Sequence, residues 1–167
     1  YLTRKDNRET ILDMIDQTAT AIADEFAPAR PEEGFDFAPL IKKVKEQFNF
    51  DLRLDDLPPE KLDCDGIGEL IYNEALKIYE EKESQYGAEM MRRVEKFILL
   101  QTLDALWKDH LLQMDHLREG IGLRGYAQKD PLLEYKKEGY ALFGMMLDRF
   151  AQDVVAKLFR VQVTREE

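Results

Sequence analysis

Apolar and aromatic side chains recur at Met90, Val94, Phe97, Leu100, Leu103, Trp107, His110, Met114, Leu117 and Ile121. Each step is three or four residues, so the spacing predicts one long amphipathic helix with these residues on a single face. Gly120, Gly122 and Gly125 follow, and we expect them to stop that helix, because glycine readily takes the left-handed geometry of a helix end. Asp130-Pro131 restarts a helix, with aspartate as N-cap and proline at the first helical position. A second stripe then runs through Leu132, Tyr135, Gly139, Leu142, Met146, Phe150 and Val154. A short connection forces the two arms antiparallel with their stripes facing. Leu103, Trp107, Met114 and Met146 are the expected core of this hairpin.

Upstream the pattern is shorter. Ile11, Ile15, Thr18, Ile22 and Phe26 mark a first helix that stops at Ala27-Pro28, and Pro28, Pro31 and Gly34 mark a loop. Leu40, Val44 and Phe48 share one face of a helix over 39–48. Phe50, Leu52 and Leu54 alternate with polar residues, which we read as irregular structure or at most a short strand. Ile67, Ile71, Ala75 and Ile78 define a helix over 66–84. Tyr86-Gly87 is the natural joint. The fold class is therefore all-α, with a small helical subdomain over 11–87 followed by a long antiparallel two-helix hairpin over 88–160. Residues 161–167 form a tail.

Composition narrows the function. The chain has 167 residues, 44% hydrophobic and 35% charged, which suits long amphipathic helices. No apolar run approaches the roughly 18 residues of a membrane span. The opening Tyr1-Leu2-Thr3-Arg4-Lys5-Asp6 is not a signal peptide, and the missing initiator methionine is what we expect of a piece of something longer. A formal charge of −10 argues against nucleic acid as the main partner. That charge is uneven. Residues 32–69 carry eleven Asp and Glu against five Lys and Arg, whereas 118–137 carry five cations against three carboxylates. Cys64 is the only cysteine, so neither an internal disulfide nor a multi-cysteine metal site is available.

Several motifs invite over-reading. Residues 120–125 match G-x-G-x-x-G letter for letter, but a dinucleotide fold places that motif between a strand and a helix. Here a long helix precedes it, so helix capping is the better explanation. Asp63-Cys64-Asp65-Gly66 resembles part of a calcium loop. With Gly66 at the turn, however, the first and last ligand positions fall on Lys61 and Tyr72. His110 and His116 are six apart and do not share a helix face, and His110 reads as a buried ring on the stripe. There is no phosphate-binding G-x-x-x-x-G-K-[ST] loop and no nucleophile-base arrangement. We expect no catalytic, metal or cofactor residues in this chain. Asp104 and Lys108 form an i,i+4 pair on the outer face. Tyr126 resists dismissal, because at a turn between Gly125 and Ala127 a large ring has no partner helix to pack on, which leaves a functional contact or a ring folded back onto the tip.

The segments Met90-Met91-Arg92-Arg93-Val94-Glu95-Lys96, Leu100-Gln101-Thr102-Leu103-Asp104, Trp107-Lys108-Asp109-His110-Leu111 and Met114-Asp115 carry a family likeness. So do Leu123-Arg124-Gly125-Tyr126-Ala127-Gln128-Lys129-Asp130-Pro131 and Glu134-Tyr135-Lys136. Together they resemble the C-terminal part of the SecA family, the motor ATPases of bacterial preprotein export. The likeness is dense over 87–163 and looser over 11–86. It implies that 1–10 is the end of a long scaffold helix, 11–87 a helical wing domain, and 88–160 the second part of the helical scaffold with its two-helix finger. It further implies that Tyr126, with Arg124, Gly125, Gln128 and Lys129 beside it, contacts the translocating polypeptide. The finger would insert at the cytoplasmic face of the SecY channel and restrain the motor's ATPase. ATP and magnesium would belong to nucleotide-binding domains missing from this chain, as is the preprotein cross-linking domain. These missing domains of the same parent chain are implied partners, a homodimer is left open, and the implied location is the bacterial cytoplasm, peripheral to the plasma membrane.

Two other readings compete. A self-standing helical hairpin could dock on a partner with no motor attached. A nucleotide-dependent enzyme could use the glycine motif.

Overall fold

The computed structural model describes residues 4–124 and 130–162. Among them are five α-helices, α1 (Arg4–Phe26), α2 (Ala38–Phe48), α3 (Cys64–Tyr86), α4 (Ala88–Arg124) and α5 (Pro131–Arg160), with a 3-10 turn at Pro59–Lys61. No strand occurs among the described residues, and 50–54 are irregular. The all-α expectation holds.

The chain divides into two compact units, Tyr1–Ile98 with Ala151–Glu167, and Leu99–Phe150. The first contains α1 to α3, the opening turns of α4 and the closing turns of α5. Helix α1 passes position 10 without a break. Gly87, at φ +86°, separates α3 from α4, and its N–H bonds to the Glu83 carbonyl at 2.9 Å.

In this unit the stripes expected on α1 and α2 are buried, including Ile11, Ile15, Ile22, Leu40, Val44 and Phe48. On α3, Ile67, Ile71 and Ala75 are buried as expected, but the fourth position is Tyr79 rather than Ile78. The Phe48 and Phe159 rings pack edge to face, 5.3 Å apart and at 84°. Local chemistry sets the helix ends. Asp63 caps α3 by accepting the Gly66 N–H at 2.8 Å. The Cys64 N–H reaches the Pro28 carbonyl at 2.9 Å, tying the end of α1 to the start of α3. A Cβ on Gly66 would lie 2.0 Å from the Lys61 carbonyl oxygen, so only glycine fits. The calcium-like Asp63-Cys64-Asp65-Gly66 run is therefore a capped turn under close backbone approach. Helix α2 ends at Asn49, whose φ of 60° is left-handed.

The second unit comprises α4 from Leu99 onward and α5 up to Phe150. The His110 ring faces Phe143 at 5.8 Å, and a Cβ on Gly139 would come within 2.8 Å of the Met114 methyl. A step forward along α4 from 110 to 114 thus matches an equal step backward along α5 from 143 to 139. The helices are antiparallel, as expected of two arms joined by a short connection.

Candidate functional site

The hairpin end is the candidate site. Helix α4 continues through Gly120 and Gly122 to Arg124, so neither glycine stops it. Both stand in open space, and a helix that meets no obstacle tolerates glycine at modest cost. This corrects the capping expectation. It also disposes of the G-x-G-x-x-G match, since its first two glycines lie inside a helix rather than at a strand-to-helix turn. Helix α5 restarts as expected at Pro131, with the Asp130 carboxylate accepting the Leu133 N–H at 3.2 Å. Gly125, Tyr126, Gln128 and Lys129 lie outside the described residues, as does the Arg124 side chain.

The hairpin core differs from expectation on one arm. On α5 the expected face is inward from Tyr135 onward, with Gly139 and Met146 buried and Tyr135, Leu142 and Phe150 half-buried, whereas Leu132 in the first turn is exposed. On α4 the buried residues of the second unit are Leu99, Thr102, Leu106, His110 and Ile121, with Met114 half-buried against Gly139. Trp107 is 43% exposed and Leu103 39% exposed, so neither is a core residue. The physical reason is a phase error of about one residue. Glu95 and Thr102 are polar yet sit on the buried face of α4, while Leu100, Leu103, Trp107 and Leu111 form a separate apolar row facing outward. Trp107 stacks at 5.4 Å on His110, whose Nδ1 has no partner among the described residues. The Asp104–Lys108 pair forms at 3.0 Å on the exposed side.

Sequence reasoning missed a polar cluster in the first unit. Glu95, fully buried on α4, pairs with Arg92 at 2.6 Å and accepts a short hydrogen bond from the Tyr79 hydroxyl. Arg92 also donates to the Tyr79 oxygen at 2.9 Å and pairs closely with Glu83, which meets Arg8 of α1 at 3.3 Å. Burial pushes the Glu95 carboxyl above the usual carboxylate range, opposed by Tyr79 and Arg92, and burial also raises the Tyr79 hydroxyl. The cluster joins α1, α3 and α4 with matched charges, which is a positioning arrangement. The one sequence signal was a Glu at a helix position flanked by apolar Met91, Ile98 and Leu99. Elsewhere burial lowers the Lys82 amine, which donates to the Val161 carbonyl at 2.9 Å. Burial and the nearby Asp24, Asp65 and Asp63 raise the Cys64 thiol. Among the described residues no three His, Cys, Asp or Glu side chains gather as a metal site, and no helix is long and apolar enough to cross a membrane.

Along the chain, helices α1 to α3 come before the antiparallel pair α4 and α5, and comparison with known proteins identifies the family. The model of the SecA Wing and Scaffold domain matches residues 1–162. This chain belongs to the SecA family. It is 47% identical over 133 residues to the protein translocase subunit SecA of Desulforapulum autotrophicum, covering 80% of this chain and 16% of that protein. It is 42% identical over 161 residues to the same subunit of Geotalea uraniireducens, covering 96% and 18%. Against the Sorangium cellulosum subunit it is 43% identical over 163 residues, covering 97% and 16%. The chain thus spans less than a fifth of the length of these SecA relatives.

Proposed function

We propose that this chain is the wing-and-scaffold portion of a protein-export motor. Residues 1–10 end a scaffold helix, 11–87 form the wing, and 88–160 carry the second part of the scaffold with its finger. The finger's end, at Arg124, Gly125, Tyr126, Gln128 and Lys129, contacts the preprotein at the cytoplasmic face of the SecY channel, and the hairpin restrains ATP hydrolysis elsewhere in the motor. ATP and magnesium belong to the parent's nucleotide-binding domains. The motor works in the bacterial cytoplasm, peripheral to the plasma membrane. The observation that carries this reading is the antiparallel pairing of α4 and α5 on either side of the 125–129 connection, within a SecA-family match. The outward apolar row Leu100, Leu103, Trp107 and Leu111 supports a further partner. We assign that partner to the nucleotide-binding and cross-linking domains of the same parent.

A tyrosine suits a grip on varied sequences, because its flat ring packs on apolar groups while its hydroxyl hydrogen-bonds to backbone. The test is preprotein import into inverted membrane vesicles by a full-length motor carrying Tyr126→Ala. Import should fall sharply while basal ATP hydrolysis and the melting temperature stay near wild type. Unchanged import, or a large loss of stability, overturns the assignment of Tyr126.

A further inference from the structure

We propose that the cleft between the 31–37 loop and the 59–62 turn binds a short, cationic, proline-bearing peptide in the polyproline II conformation. The cleft is open to solvent and offers about 480 Å³, within the size range of ligand sites. Its apolar lining is Pro31, Phe35, Phe37, Pro59 and Leu62. The Phe35 and Phe37 rings stand 4.8 Å apart and tilted by 56°, forming a wedge that stays half-buried rather than sinking into the core. Glu32 and Glu33 are the charged groups of the lining. Both are exposed, and neither makes an ion pair among the described residues. The adjacent cation Arg30 does not line the cleft.

Chemistry selects the occupant. Strand addition needs a free sheet edge, and no strand exists among the described residues. Two lining residues, Pro31 and Pro59, have no N–H to offer a ligand backbone. A polyproline II segment asks for none, because its backbone stays hydrated while its rings lie flat on aromatic and proline faces. The two free carboxylates then favour Arg or Lys beside those rings, and the acidic surplus of residues 32–69 attracts such a peptide from a distance.

The test is fluorescence polarisation on the full chain with three labelled nonapeptides, built from three repeats of Pro-Pro-Arg, Pro-Pro-Glu or Gly-Ser-Arg. The Pro-Pro-Arg peptide should saturate the chain, with the other two at least about tenfold weaker. Phe35→Ser should weaken that binding about tenfold with helical circular dichroism unchanged. The paired Glu32→Gln and Glu33→Gln substitutions, on exposed residues that leave the fold intact, should weaken it about fivefold and flatten its salt dependence. Equal binding of Gly-Ser-Arg would mean nonspecific attraction to an acidic surface and overturns the proposal. Lack of saturation, or full binding by the glutamine variant, overturns it as well.

Discussion

The two compact units hold themselves together differently. In the first, stretches of all five helices supply side chains, and residues such as Ile15, Leu40, Ile71, Tyr79 and Leu158 have no exposed surface. In the second, only α4 and α5 are present, so each helix can cover one face of the other. The remaining apolar residues, from Leu100 and Trp107 to Tyr140 and Met145, stay exposed. A multi-helix core can absorb even a charged cluster, because α3 supplies partners for Arg92 and Glu95 and α1 supplies Arg8 as a second partner for Glu83. A two-helix seam cannot swallow an apolar row on its outer side. Burial of a large apolar side chain is worth about 1.5–3 kcal/mol, and that gain is available to Ile71 but only in part to Trp107.

The contrast can be broken by substitution. The largest effect is expected at Glu95→Ala, which takes the buried carboxylate from both Arg92 and the Tyr79 hydroxyl, leaves only Glu83 to pair with Arg92 among the described residues, and should cost about 3–5 kcal/mol in urea unfolding. Replacing the pair together, as Arg92→Met with Glu95→Leu, should restore most of that stability. If both variants lose equally, the cluster is not a matched charge pair. Gly66→Ala comes next, since its methyl would collide with the backbone carbonyl of Lys61, at about 1–3 kcal/mol or more by the same measurement. Trp107→Ala should cost the isolated chain only about 1 kcal/mol, because the ring is already substantially in water. A loss above about 3 kcal/mol, the value for a fully buried tryptophan, would restore it to the core. The smallest effect has the opposite sign. Gly120→Ala meets open space inside α4 and should raise stability by about 0.5–1 kcal/mol, seen as an increase in melting temperature.

Much of this was legible in the chain. The buried faces of α1, α2 and α5 follow their apolar spacing, and Asp130-Pro131 marks a helix start that the structure places at the same residues. The errors fall where one face pattern competes with another. Helix α4 carries apolar residues on two sides, so periodicity alone chose the row through Leu103 and Trp107 over the one through Ile98, Thr102 and Leu106. Polar Glu95 and Thr102 hid the true seam, because their burial depends on partners distant in sequence, such as Tyr79 for Glu95. Ile78 lost its place to Tyr79 for the same reason, since the tyrosine hydroxyl has a carboxylate waiting for it. Gly120 and Gly122 misled because glycine permits a helix stop without enforcing one. For the proposed site, residue type and family likeness single out Tyr126, which lies outside the described residues, between the helix bounds at Arg124 and Pro131.

Photo-cross-linking in the full-length motor, with a light-activated residue at position 126 or at position 107, tests the division of labour within the hairpin most directly. During translocation, position 126 should cross-link to the preprotein, and position 107 should cross-link within the motor chain itself. Preprotein adducts at 107 with none at 126 would contradict both the role of the tip and the assignment of the outward row.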